Sequence, residues 1–244
     1  MSQIAVAAAL AAAIVVAGGI FGYRHHEQAQ AARARVASCE VIHAQVAKWA
    51  SLDRPLMTGS APVLAVLGDS YTAGTQLPEL SDDYAVLTAR ALGMRANVVG
   101  WPGSGYVNPS ACGGHPFSRQ LAQALSPVPR ILVIEGGTND YTYSDARLRS
   151  AAASLVATVK REAPTTRIVL LGPAITPRRP AADMRRVDAT LASVAKAEDV
   201  GYVSALSWLA PADLAGDHLH PNEAGHQVYA KSLSAALRSP RVTP

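Results

Sequence analysis

The chain has 244 residues, a formal net charge of +4, an apolar fraction of 49% and only 5% aromatics. That length suits one domain of about 200 residues plus an N-terminal extension, with enough apolar sequence for a sizeable core. The positive charge comes mostly from scattered arginines, with no dense Lys/Arg run and no basic stripe interleaved with aromatics, so nothing points to nucleic acid.

Residues Ile4 to Tyr23 are apolar and nearly uncharged. About 20 such residues span a bilayer as a helix. A secretory signal has a positive n-region and a shorter apolar run, whereas Met1-Ser2-Gln3 offers only the terminal amine. Residues 1–23 are therefore expected to be a transmembrane anchor, with a cleaved signal as the alternative. Arg24, Arg33 and Arg35 follow it and would hold the remainder in the cytoplasm by the positive-inside bias. Large domains translocate despite such charges, and the cysteine pair Cys39 and Cys112 leans the other way, so the expected location is membrane-anchored and extracytoplasmic, or secreted. The two cysteines fit no metal-site spacing; a disulfide and two unrelated thiols both remain open. Residues 24–61 are alanine-rich and helix-compatible, broken by Pro55 and Gly59, and read as a stalk.

From residue 62 to 240, apolar strand-like runs alternate with helical patterns. Val63–Leu67, Ala96–Val99, Arg130–Ile134, Ile168–Leu171 and Gly201–Ser204 read as strands. Tyr84–Leu92, Phe117–Leu125, Asp145–Glu162, Ala182–Glu198 and Glu223–Leu237 read as helices. Ser81-Asp82-Asp83 and Pro221-Asn222 supply helix starts, and Gly93 a stop. Strands separated by helices imply βαβ units. The expected fold is α/β: a three-layer α/β/α sandwich around a flavodoxin-like parallel sheet of about five strands, preceded by the N-terminal hydrophobic helix.

The chemistry-bearing residues fall at the predicted strand ends. Gly68-Asp69-Ser70-Tyr71 follows the first strand and delivers a serine into a sharp turn. Asp217 and His220 are three apart in the loop before the last helix. One tight turn brings that carboxylate to a ring nitrogen and leaves the other nitrogen free to accept a serine proton. His218 between them should point elsewhere. Asn139, after the third strand, can aim its amide at the pocket, and the Gly100–Tyr106 loop after the second strand offers main-chain N–H groups. Taken singly, each has a bland reading as a turn glycine, a capping amide or a chance Asp-x-x-His.

Together these four segments resemble the SGNH hydrolases, the GDSL esterase/lipase family, over about Pro62 to Arg238. The resemblance implies Ser70 as nucleophile, His220 as general base and Asp217 as its orienting acid. It implies an oxyanion hole made of the Ser70 and Gly105 N–H groups and the Asn139 side chain, with Gly103 competing for the Gly105 role. The chain departs from the signature at Tyr71, where the family has leucine, and in carrying Trp101 and Pro102 in the glycine loop. Asp69 and Asp140 are expected to hold turns by accepting loop amides. The implied activity is hydrolysis of carboxylic esters of small molecules, lipids or acylated glycans through an acyl-enzyme, with no metal or organic cofactor. The alternatives are acyl transfer to a sugar or lipid hydroxyl and a non-catalytic anchored binding module.

Overall fold

The structure is a computed structural model that describes residues 26–28, 30–48 and 59–239. The apolar stretch expected to be an anchor lies outside the described residues; among those described, no helix is long and apolar enough to cross a membrane. The chain divides into two units, Met1–Val41 and Ile42–Pro244. Residues 30–48 are helical (α1), and only residues 42–48 of this helix belong to the larger unit. The expected stalk therefore does not stay apart from the domain along its whole length. Ile42 is buried, and the Gln45 side-chain amide donates to the Ala73 and Gly74 carbonyls at 2.6 and 3.1 Å.

The larger unit is built on five strands, β1 (Val63–Gly68), β2 (Arg95–Gly100), β3 (Ile131–Glu135), β4 (Arg167–Leu171) and β5 (Gly201–Val203). They pair in parallel in the order β2-β1-β3-β4-β5, the flavodoxin-like order. Helices α2 (Tyr84–Ala91), α3 (Phe117–Ala124), α4 (Asp145–Glu162), α5 (Ala181–Ala197) and α6 (Glu223–Arg238) alternate with them or follow. Parallel strands need such crossovers, which cover both sheet faces and bury the central strands entirely. Every residue of β1 and β3 is buried.

Alternation along the strands sorts the core into two layers. Ala65, Leu67, Leu132, Ile134 and Leu170 pack with Phe117, Leu148, Leu155, Val187 and Leu191 of α3, α4 and α5. Leu64, Val66, Val133, Val169 and Leu171 pack with Tyr84, Val86, Tyr229 and Leu233 of α2 and α6. Each Val, Leu, Ile or Phe among them contributes about 1.5–3 kcal/mol by leaving water. Asp83 caps α2 by accepting from Ala85, and Asn222 caps α6 by accepting from Gly225.

Strand ends differ slightly from the sequence reading, and the reasons lie in tertiary contacts. β1 extends to Gly68 and β2 to Gly100, and the turn that carries Ser70 packs directly on both ends. A Cβ on Gly100 would stand 2.3 Å from the Ala73 nitrogen, and one on Gly68 would stand 2.1 Å from Thr72 Oγ1. β3 runs one residue further than expected, so Glu135 ends the strand inside the protein. β5 stops at Val203, and the Ser204 hydroxyl turns instead to Asp188 at 2.8 Å. In this strand order, connections leave β1 toward β2 on one side and β3 toward β4 on the other. The carboxyl ends of β1 and β3 thus open a crevice.

Candidate active site

Ser70 sits one residue beyond Gly68-Asp69, in a turn closed by bonds from the Ala73 N–H to the Asp69 carbonyl and from Thr75 to Ser70. It is buried but for 8% of its surface. Its Oγ lies 2.9 Å from His220 Nε2, and His220 Nδ1 lies 2.6 Å from Asp217 Oδ2. The tight turn expected for residues 217–220 is present. Asp217 Oδ1 accepts from the N–H groups of Leu219 and His220, both at 3.0 Å. Burial pushes the Asp217 carboxyl up, but the hydrogen bonds from His220 and Leu219 outweigh it and bring the pKa down to about 2. An ionised carboxylate only accepts, so the Nδ1 proton faces Asp217 and Nε2 is left to accept from Ser70. His218 is exposed, with φ of 56°, and turns away from this chain of bonds.

Two residues to which the sequence reading gave no such role hold the histidine loop. Tyr71, fully buried, donates from its hydroxyl to the Leu219 carbonyl at 2.6 Å and sets its ring edge-on to His220. The departure from leucine at this position thus ties the serine turn to the histidine loop. Gln76 donates to Asp217 Oδ2 at 3.3 Å from the exposed side. The legible signal for Tyr71 was its position directly after the serine; Gln76 gave none.

Asn139 stands beside the serine turn as expected, with Nδ2 donating to Asp69 Oδ2 at 3.1 Å and to the Ser104 carbonyl at 2.9 Å. Gly105 differs from expectation. Its N–H donates to the Asn108 carbonyl at 3.0 Å and so is not a free donor. Its lack of a side chain serves another purpose: a Cβ there would stand 2.4 Å from the Asp140 carboxylate. Asp140 accepts from the N–H groups of Tyr106, Val107 and Asn108, each at 2.9 Å, and so clamps the glycine loop. Among the described residues the N–H groups of Ser70 and Gly103 have no acceptor, and Gly103 has a φ of 76° that suits glycine. Trp101 lies flat on His115, with ring centroids 3.7 Å apart, and meets His43 edge-on.

Beneath the serine turn lies a layer of buried acids. Asp69 is fully buried, and its Oδ1 accepts from the Tyr71 N–H at 3.0 Å, as expected for a turn-holding carboxylate. Burial drives its pKa to about 7, opposed by the Tyr71 bond and reinforced by the charge of Asp140. Glu135, which sequence reasoning missed, accepts from Thr72 Oγ1 at 3.0 Å and from the Asp69 N–H at 3.4 Å. Burial, then the neighbouring Asp69, pushes its carboxyl well above the usual range. Neither Cys39 nor Cys112 is a free thiol.

Residues 66–228 match the GDSL-like lipase/acylhydrolase family. The chain belongs to that family. It is a carboxylic ester hydrolase by that membership. It is similar to a GDSL lipase of Mycobacterium tuberculosis, 26% identical over 187 residues that cover 71% of this chain and 80% of that protein. In fold it is similar to an active-site mutant of a family two carbohydrate esterase from Clostridium thermocellum, with a TM-score of 0.63 at 20% identity. That likeness covers 74% of this chain and 64% of the esterase, so the chain spans less than two thirds of it. A salicylyl-acyltransferase from a tetracycline biosynthetic pathway also shares the fold, with a TM-score of 0.60 at 21% identity over 76% of this chain and 57% of that one.

Proposed function

We propose that the chain cleaves carboxylic esters by two-step acyl transfer, with Ser70 as nucleophile, His220 as general base and Asp217 orienting the imidazole. The observation that carries this reading is the continuous chain from Ser70 Oγ to His220 Nε2 at 2.9 Å and from His220 Nδ1 to Asp217 Oδ2 at 2.6 Å. Ser70 Oγ attacks the ester carbonyl as its proton passes to Nε2. The tetrahedral intermediate collapses, the carbon–oxygen bond to the alcohol breaks, and Nε2 returns the proton to that alcohol. Water then enters, gives a proton to Nε2 and attacks the acyl carbon; the carbon–Oγ bond breaks, Nε2 returns the proton to Ser70 Oγ, and the acid leaves.

The oxyanion is assigned to the free Ser70 N–H and to the Asn139 amide, which exchanges or shares one of its present acceptors on substrate binding. Gly103 is the main-chain donor favoured over Gly105, because its N–H is uncommitted. Lipids, small esters and acylated glycans remain the substrate classes, the last supported by fold likeness to a carbohydrate esterase. Interception of the acyl-enzyme by a sugar or lipid hydroxyl is the second reading, supported by the acyltransferase of the same fold. Product analysis with and without an acceptor alcohol separates the two. An extracytoplasmic location is the companion proposal, supported by the absence of free thiols; a reporter fused after Pro244 tests it.

The decisive experiment measures hydrolysis of short- and long-chain p-nitrophenyl esters, with Ser70→Ala and His220→Ala alongside. Each substitution is expected to lower kcat by about four to six orders of magnitude. A wild-type protein that hydrolyses none of them and resists a fluorophosphonate probe would overturn the mechanism.

A further inference from the structure

Arg179 lies half-buried in the loop after β4. Its Nε donates to the Thr138 carbonyl at 3.4 Å, and its guanidinium carbon stands 5.2 Å from the centre of the Tyr141 ring. Those two contacts bracket Asn139, so the guanidinium rests on the segment that carries the oxyanion amide. Its charge also reaches the serine turn, where it opposes the burial that raises the pKa of Asp69 and Tyr71.

Arg186 shows what a structural arginine looks like in the same region. It pairs with Asp145 and Asp183 and donates to the Tyr141 and Tyr143 carbonyls, fastening the loop to α4 and α5. Arg179 has no such partners. Among the described residues no carboxylate lies within ion-pair distance of it, Nη1 reaches only the Arg178 carbonyl at 3.3 Å, and Nη2 has no acceptor. The acid that feels its field, Asp69, already accepts from Tyr71 and Asn139. A guanidinium stacked on a tyrosine keeps its fork in one plane and presents its free N–H groups to a planar or tetrahedral oxyanion.

We propose that Arg179 selects esters that carry an oxyanionic group, carboxylate or phosphate, by binding that group beside Asn139. The proposal rests on the ester-hydrolase reading and names a property of its substrates. Discrimination of about tenfold is expected, the worth of one charged hydrogen bond at a half-buried site.

The test compares kcat/KM within matched pairs: mono-p-nitrophenyl adipate against p-nitrophenyl hexanoate for charge on the acyl side, and 4-acetoxybenzoate against 4-acetoxybenzamide for charge on the alcohol side. Phenyl phosphate esterified with acetate at the para position replaces the carboxylate in a third arm. Wild type should favour the anionic member about tenfold in at least one pair. Arg179→Gln should remove that preference and Arg179→Lys should retain part of it, with melting temperatures confirming that both fold. Equal kcat/KM within every pair, or a preference that survives Arg179→Gln, overturns the role of Arg179 and leaves the hydrolase reading intact. Absence of turnover on every ester, with no fluorophosphonate labelling of Ser70, overturns both.

Discussion

The turn after β1 and the loop before α6 each set an aspartate beside a reactive residue, yet the two carboxyls differ by several units in acidity. Asp217 is part-exposed, and the donors from His220 and Leu219 hold it near 2. Asp69 is fully buried with Asp140 and Glu135 for neighbours, and its pKa rises to about 7. Charge placed at the rim, where donors converge, can orient an imidazole in its ionised form. Charge placed under the sheet end is suppressed, and its oxygens act as acceptors that hold Tyr71 and Asn139 in place. The same residue type therefore does opposite electrostatic work in the two loops, and the difference lies in burial and donor count.

The hardest blow to this comparison would be struck at Asp217. Asp217→Asn keeps the size but loses the charge and admits the wrong imidazole tautomer, so kcat should fall by about two to four orders of magnitude with little change in KM. Retention of wild-type kcat would show that the carboxylate does not orient His220.

Asp140→Ala should act on stability first. One buried and two part-buried N–H groups lose their acceptor, which costs about 3 kcal/mol in denaturant unfolding and loosens the loop that carries Gly103.

The two carboxyls should also give opposite slopes of stability against pH. The Asp217 pKa is lowered on folding, from 3.8 to about 2, so its contribution is present above the higher value and lost as pH falls through the lower. The Asp69 pKa is raised, from 3.8 to about 7, so the folded state binds more protons in that window and stability declines as pH rises across it. Asp69→Asn should flatten the decline between those two values in urea titrations; an unchanged slope would mean that Asp69 does not titrate there.

The smallest effect belongs to Gln76→Ala. It removes an exposed, 3.3 Å contact to Asp217, so kcat should fall by about threefold or less. A larger loss would mean that the rim bond matters as much as the two main-chain donors.

Much of the site was legible because its residues lie at element boundaries. Ser70 follows a strand, Asn139 follows another, and Asp217 and His220 are close enough in sequence for one turn to join them. Tyr71, Glu135, Gln45 and Arg179 were not legible in the same way, since their partners are far along the chain. Tyr71 reaches Leu219, and Gln45 reaches Ala73 and Gly74. No local pattern announces such pairings. The surroundings of Gly105 were hidden for a related reason: a glycine can serve an open N–H or a close neighbour, and only the tertiary structure shows its N–H on the Asn108 carbonyl and the Asp140 carboxylate 2.4 Å from its absent Cβ.

By itself the sequence determined the parallel α/β class, the two-faced core, helix starts within Ser81-Asp82-Asp83 and Pro221-Asn222, and the family resemblance. The first three follow from periodicity or from residues near one another in the chain, and the resemblance from the order of four short segments along it. Only the tertiary structure decided which N–H groups stay free, which carboxyls are ionised and which arginine lacks an acid. Those properties depend on burial and on the sum of nearby charges and donors, which distant segments supply once the sheet has brought them together.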